Sequence, residues 1–169
     1  RLTGELGALQ APGKTLFLPY LGGERTPLNS ASVRGAFTGL EHATDRKAAT
    51  RAVLEGVTFA IRDSRDALAA TGTRLENLLA VGGGTRSDYW LRLIATALDC
   101  PVQLPAAGDF GGAFGAARLG LMAATGAGAE IATLPPIARV IEPDPALASA
   151  FDAGHARFRA AQSAIKDLT

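Results

Sequence analysis

Apolar residues along this chain recur in two patterns. Short runs bounded by glycine, proline and polar residues alternate with longer stretches in which apolar positions fall three or four apart. The first pattern predicts strands and the second amphipathic helices. Residues 15–20 (TLFLPY) predict a strand that Pro19 ends, and 21–29 (LGGERTPLN) a loop dense in turn residues. Residues 32–40 (SVRGAFTGL) are apolar but punctuated by Gly35 and Gly39, which suits a bent strand or turn. A long helix follows. Thr44 serves as its N-cap, Ala49, Val53, Val57, Ala60, Ile61 and Leu68 share one face, and Gly72 supplies the left-handed residue past its end. Residues 78–81 (LLAV) predict a buried strand. Ser87 then caps a helix to Leu98, and Pro101 prevents its continuation. A brief strand at 102–104 and a loop at 105–109 precede a helix over 111–124 capped by Asp109. A loop-like stretch at 126–145 holds a strand at 138–141. The final helix, 146–168, sets Leu147, Phe151, Phe158, Ala161 and Ile165 on one side. Strands alternating with helices in this way predict an α/β fold.

Composition excludes more than it adds. A chain of 169 residues is one domain or part of one, long enough to bury roughly 70% of its unfolded surface. Its net charge is +1 and no basic stripe appears, which argues against nucleic acid or an anionic membrane as partner. No apolar run approaches the ~20 residues of a membrane span, and no secretory signal is evident. Cys100 is alone, so there is neither an internal disulfide nor a cysteine metal cluster, and a cytoplasmic setting fits. Residues 1–14 are polar and glycine-broken and read as a lead-in or linker, with the domain proper over 15–169. Arg1 in place of Met suggests an incomplete chain. His42 and His155 stand 113 positions apart without companions at ligand spacing. They read as solvated, and the chain itself offers no metal site.

The candidate chemistry lies at 78–90, LLAVGGGTRSDYW. Strand, glycine turn, helix is how an α/β protein brings backbone against a phosphate. Glycines remove the Cβ atoms that would block approach, and the helix start offers unpaired N–H groups. An ordinary tight turn accounts for an isolated GGG equally well, because its spacing matches neither the dinucleotide nor the P-loop motif. A second small-residue face, Gly111, Gly112 and Gly115, lets a helix lie on another backbone or near a ligand. Glu24 and Arg25 are adjacent in a loop, where a stabilising ion pair is the commoner role. Glu55 reads as an exposed helix carboxylate that could instead reach a neighbouring loop. Gly56, at ~1 kcal/mol relative to Ala within a helix, implies close approach by another element.

Several stretches together resemble one family. FLPYLGGERTP (17–27), RGAFTGL (34–40), RAVLEGVTFAIRD (51–63), VGGGTRSDYW (81–90) and GDFGGAFGAARLG (108–120) occur in the order seen in carbohydrate kinases of the FGGY type. Within that family they look most like the C-terminal part of a xylulokinase. Departures are mild: Gly22 replaces a common Ser, Gly112 stands near a usual Pro or Ala, and Ala48 and Ala49 fall where a polar and an aliphatic residue are usual. The resemblance implies an actin-like ATPase fold with a ribonuclease-H-like core, incomplete here on its N-terminal side. It implies ATP and Mg²⁺ as cofactors. D-xylulose would be the sugar substrate, held through a missing N-terminal domain; a ribulose, gluconate or glycerol acceptor, or a non-catalytic nucleotide-binding module, is the alternative. A homodimer is left open. The cofactor-binding residues it implies are Gly82, Gly83, Gly84, Ser87, Asp88, Gly111 and Gly112. A carboxylate such as Asp88 is unfavourable beside phosphates, so it is expected on the adenine or ribose side. The family's catalytic Asp sits in a glycine-rich segment, and none precedes Phe17. Asp63, Asp88 and Asp109 are therefore not assigned as base, and the chain alone is expected not to phosphorylate xylulose.

Overall fold

The computed structural model of the protein describes residues 2–106 and 111–166. Arg1, the predicted cap Asp109 and the predicted helix end at Leu168 lie outside the described residues. Strand β1 (Leu16–Leu18) pairs antiparallel with β2 (Ala36–Thr38), setting Leu16 opposite Thr38 and Leu18 opposite Ala36. This pair lies against the long helix α1 (Arg46–Ala70). Close approach is possible because residue 56 is glycine. A Cβ there would sit inside the carbonyl oxygen of Phe17 and 2.9 Å from its carbonyl carbon.

The start of α1 differs from the predicted one by a residue. Asp45, in an extended conformation, is the N-cap, and its carboxylate accepts from the Ala48 N–H at 2.7 Å. Thr44 faces the other way: its hydroxyl accepts from the Glu41 N–H at 2.9 Å and lies 3.4 Å from the Thr15 hydroxyl. The far end is as predicted, with Gly72 at φ +89° just past the capping Thr71. The buried face is rotated from the predicted stripe. Ala52, Glu55, Gly56, Thr58, Phe59 and Asp63 are buried, whereas Ile61 and Leu68 are exposed. Hydrophobicity alone misplaces the face because it excludes carboxylates, and this face carries two that have partners.

The first of these, Glu55, corrects its reading as a surface group, since it is 1% exposed. Its carboxylate accepts from the Gly13 N–H at 3.1 Å and from Arg51 at 3.1 Å. Arg51 also donates to the Gln10 side chain and the Ala11 carbonyl, and Arg157 donates to the Gly13 carbonyl at 3.0 Å. Residues 10–13 are thereby held to α1. Burial pushes the Glu55 carboxyl above its ordinary 4.5, with Arg51 opposing the shift. A raised folded value means that the folded state holds the proton more tightly. Glu55's contribution to stability is therefore full below 4.5 and is lost as pH rises through the raised value. Denaturant unfolding of the wild type and Glu55→Gln across that range should show the wild type losing stability relative to the variant as pH rises. A difference independent of pH would contradict this.

The second sheet has the order β3-β4-β5: β3 (Leu78–Leu79) runs parallel to β4 (Val102–Pro105), which pairs antiparallel with β5 (Ile137–Ile141). Helix α2 (Asp88–Leu98) is the crossover from β3 to β4. Its Leu91 and Ala95 pack on Val102 and Ile141. The opposite side of α2 (Tyr89, Leu93, Ala97) joins Leu18, Tyr20, Phe59, Phe151 and Phe158 in the main core. Helix α4 (Ala148–Lys166) supplies the last two of these rings. It starts two residues later than predicted, because Asp144 accepts from the Ala146 and Leu147 N–H groups and holds a turn there. Helix α3 (Gly111–Thr125) buries none of its residues.

Candidate functional site

The segment between β3 and α2 uses its three glycines for different ends. Gly82 has φ +87°, a conformation that other residues adopt at a cost. Its carbonyl accepts from both the N–H (3.1 Å) and the hydroxyl (2.7 Å) of Thr85, closing a 3₁₀ turn over Gly83–Arg86. Gly83 faces open space, with no atom within 4 Å of where a Cβ would stand. Gly84 rests on Trp90, whose Cζ3 would lie 2.7 Å from an added Cβ. The clearance for a ligand's approach that the sequence suggests is therefore found at Gly83, while Gly84 is small to fit a ring of this chain. Ser87 caps α2 as predicted, its Oγ accepting from the Trp90 N–H at 3.3 Å.

Asp88 opens α2, and Arg139 of β5 donates to its carboxylate at 2.8 Å. That hydrogen bond holds the Asp88 carboxyl below its ordinary range. Arg139 lies 51 positions away, and nothing in the sequence singled it out. On the other side of the turn, Val81 connects to α3: a Cβ on Gly111 would stand 3.5 Å from the Val81 side chain. Gly112 and Gly115 meet nothing within 4 Å, so of this small-residue face Gly111 alone has a near neighbour among the described residues. A cavity of about 620 Å³ opens between these pieces, lined by Leu79, Val81, Gly115, Phe114, Arg118 and Leu134 among others. The Arg118 guanidinium lies 3.9 Å over the Phe114 ring and donates to the Thr133 hydroxyl. Among the described residues the cavity wall is apolar with one cation, Arg118, and Val81 and Gly111 both line it.

Glu24 and Arg25 do not form an ion pair with each other among the described contacts. Glu24 accepts from the N–H groups of Arg25 (2.8 Å) and Thr26 (3.2 Å), and Arg25 donates to the Asn29 side chain at 3.4 Å. With reciprocal 2.8 Å backbone bonds between Glu24 and Ser30, these contacts close the loop on itself. The predicted loop-stabilising role holds, by turn hydrogen bonds in place of an ion pair.

His155 corrects its reading as solvated: it is 6% exposed, and its Nε2 donates to the buried Asp63 carboxylate at 2.8 Å. Asp63, Asp66 and His155 each bring a ligand atom within 4.8 Å of the others, a donor set that could hold a metal ion. Its charges are already answered: Asp66 bridges to Arg65 at 2.9 Å, and Arg159 stands 3.8 Å from Asp63. The His155 N–H and the two arginines answer these carboxylates, and the Asp63–His155 contact latches α1 to α4. His42 is exposed, as predicted.

The chain has clear relatives. The signature of the FGGY family of carbohydrate kinases, C-terminal domain, matches residues 4–124. A xylulose kinase of Escherichia coli (strain K12) is 42% identical over 119 residues, 70% of this chain and 25% of that protein. The crystal structure of a xyloylose kinase from Brucella ovis superposes with a TM-score of 0.90 at 59% identity, covering 99% of this chain and 36% of the other. A gluconate kinase from Lactobacillus acidophilus superposes with a TM-score of 0.79 at 26% identity, over 97% of this chain and 33% of that one. The chain thus spans between a quarter and about a third of the length of these relatives.

Proposed function

Since the chain belongs to the FGGY family of carbohydrate kinases, as its C-terminal domain, we propose that it forms the nucleotide-holding part of an enzyme that transfers the ATP γ-phosphate to D-xylulose, giving D-xylulose 5-phosphate. The choice of acceptor rests on the 59% identity with the Brucella ovis protein over nearly the whole chain. The nucleotide assignment rests on the open turn at Gly83, beside the start of α2, with the apolar cavity adjoining it. The turn's backbone and the α2 N-terminus carry partial positive charge suited to an anion. Gly82, Gly83, Gly84 and Ser87 form that edge, with Asp88 and Arg139 beside it and Gly111 and Gly112 across Val81. Asp88 is engaged with Arg139, which fits a role facing away from phosphate.

Phosphoryl transfer is catalysed by positioning, by Mg²⁺ neutralising phosphate charge, and by a carboxylate that accepts the hydroxyl proton. The Mg²⁺ would arrive on the nucleotide phosphates, because the turn carries no unpaired carboxylate to hold it. No residue of this chain is assigned as the base: Asp63 is buried on His155, Asp88 is paired with Arg139, and Asp109 lies outside the described residues. A gluconate acceptor is the second reading, favoured by the likeness to the Lactobacillus acidophilus protein.

Calorimetric titration of the chain with ADP tests the nucleotide half. Wild type should bind, and Gly83→Val should weaken binding at least about tenfold, as ~1.4 kcal/mol of lost contact would, with an unchanged melting temperature. The chain alone should release no ADP from ATP in the presence of D-xylulose. Binding by Gly83→Val equal to wild type would remove the turn from the site.

A further inference from the structure

Trp90 carries the glycine turn. Its ring lies under Gly84, where a Cβ would come 2.7 Å from Cζ3 and 3.2 Å from Cε3. At its other end, Trp90 Nε1–H donates to the Thr58 hydroxyl at 3.0 Å. Thr58 is fully buried in the middle of α1, and its own hydroxyl proton goes to the Leu54 carbonyl at 2.8 Å. The directions are consistent: the hydroxyl donates along its helix and keeps a lone pair for the indole. Trp90 is also fixed at its backbone, since its N–H donates to the Ser87 cap. An indole held at both ends sets the height of Gly84 above α1, and so the direction in which the Gly83 backbone faces.

We propose that Trp90 and Thr58 are positioning residues for nucleotide binding, acting through Gly84 rather than touching the nucleotide. This rests on the reading of the turn as nucleotide-facing. The hydroxyl of Thr58 is the critical group. Replacing it by the isosteric methyl of valine keeps the packing and removes the acceptor, which frees the indole to shift and leaves a part-buried N–H unpaired. Serine restores the acceptor. Trp90 is the chain's one tryptophan, so its emission reports this contact directly.

The test compares wild type, Thr58→Val, Thr58→Ser and Trp90→Phe, each titrated with ADP by calorimetry, with Trp90 emission followed where it remains. Wild type and Thr58→Ser should bind alike, and Thr58→Val about fivefold more weakly, the size of one lost hydrogen bond, with a shifted emission maximum. Trp90→Phe lacks the donor and the outer ring and should weaken ADP to at least the same extent, which covers the case of a Thr58→Val protein that does not fold. ADP binding by Thr58→Val or Trp90→Phe equal to wild type, whatever the melting temperatures, overturns the proposal. So does equal weakening in Thr58→Ser, which would assign the effect to packing. Absence of ADP binding by wild type instead sinks the nucleotide reading of the turn, and this inference with it.

Discussion

Gly56→Ala should destabilise the protein by about 2 kcal/mol or more, although alanine is the better helix former. In isolation the change favours helix by ~1 kcal/mol. Here the new methyl meets the backbone of β1, with the Phe17 carbonyl carbon at 2.9 Å and the Phe17 Cβ at 3.3 Å. A backbone carbonyl cannot rotate aside as a flexible side chain can, so α1 and β1 must separate. Overpacking of this kind costs ~1–3 kcal/mol and occasionally more, and the upper end applies because Phe17 is held in the β1–β2 pair. At ~2–4 °C per kcal/mol for this chain length, the melting temperature should fall by roughly 4–8 °C. Gly120→Ala in α3 is the internal control. Nothing lies within 4 Å of its added methyl, so the same substitution should there be neutral or stabilising. Thermal melts of both variants decide the matter: a Gly56→Ala protein as stable as Gly120→Ala would mean that α1 and β1 are free to part.

Gly56 also shows what was legible in the sequence. A glycine within a strong helical pattern announces that something comes close, and the structure supplies Phe17. Gly72, the Ser87 cap and the turn-to-helix order were legible for the same reason, since each is local chemistry with a fixed offset; the strand predicted as buried over 78–81 is instead Leu78–Leu79, with Leu79 and Val81 exposed. The family motifs added the order of elements and the expectation of a nucleotide at the turn. What stayed hidden were partners distant in sequence. Glu55 and Asp63 look like surface carboxylates until Gly13, 42 positions away, and His155, 92 positions away, arrive to satisfy them. Because periodicity treats every carboxylate as outward-facing, it turned the buried face of α1 through part of a turn. Thr44 and Asp45 are both competent caps, and only backbone conformation chose between them. The glycine run was read as one device, yet Gly82 answers a dihedral, Gly83 leaves space, and Gly84 accommodates Trp90.

The latch between α1 and α4 should be the costlier one to break. His155→Leu removes the nearest partner of a carboxylate that is 4% exposed and whose second oxygen already lacks a hydrogen bond. Arg159 remains, but at 3.8 Å and with its side chain largely in solvent. Removing the partner of a buried carboxylate costs ~3–5 kcal/mol, because the carboxylate is left desolvated and unpaired. The imidazole also packs beside Phe59, at 5.6 Å between ring centroids, and against Phe158. Leucine retains part of that apolar contact, so the loss reports mainly on the carboxylate. If so, Asp63→Leu combined with His155→Leu should recover much of the stability, since no buried charge then remains. Denaturant unfolding of the wild type, both single variants and the double variant forms a cycle that isolates the pair. A His155→Leu protein within about 0.5 kcal/mol of wild type, the ordinary range for surface substitutions, would place Asp63 in contact with water and dissolve the latch. Additive losses in the double variant would leave two independent core residues in place of a pair.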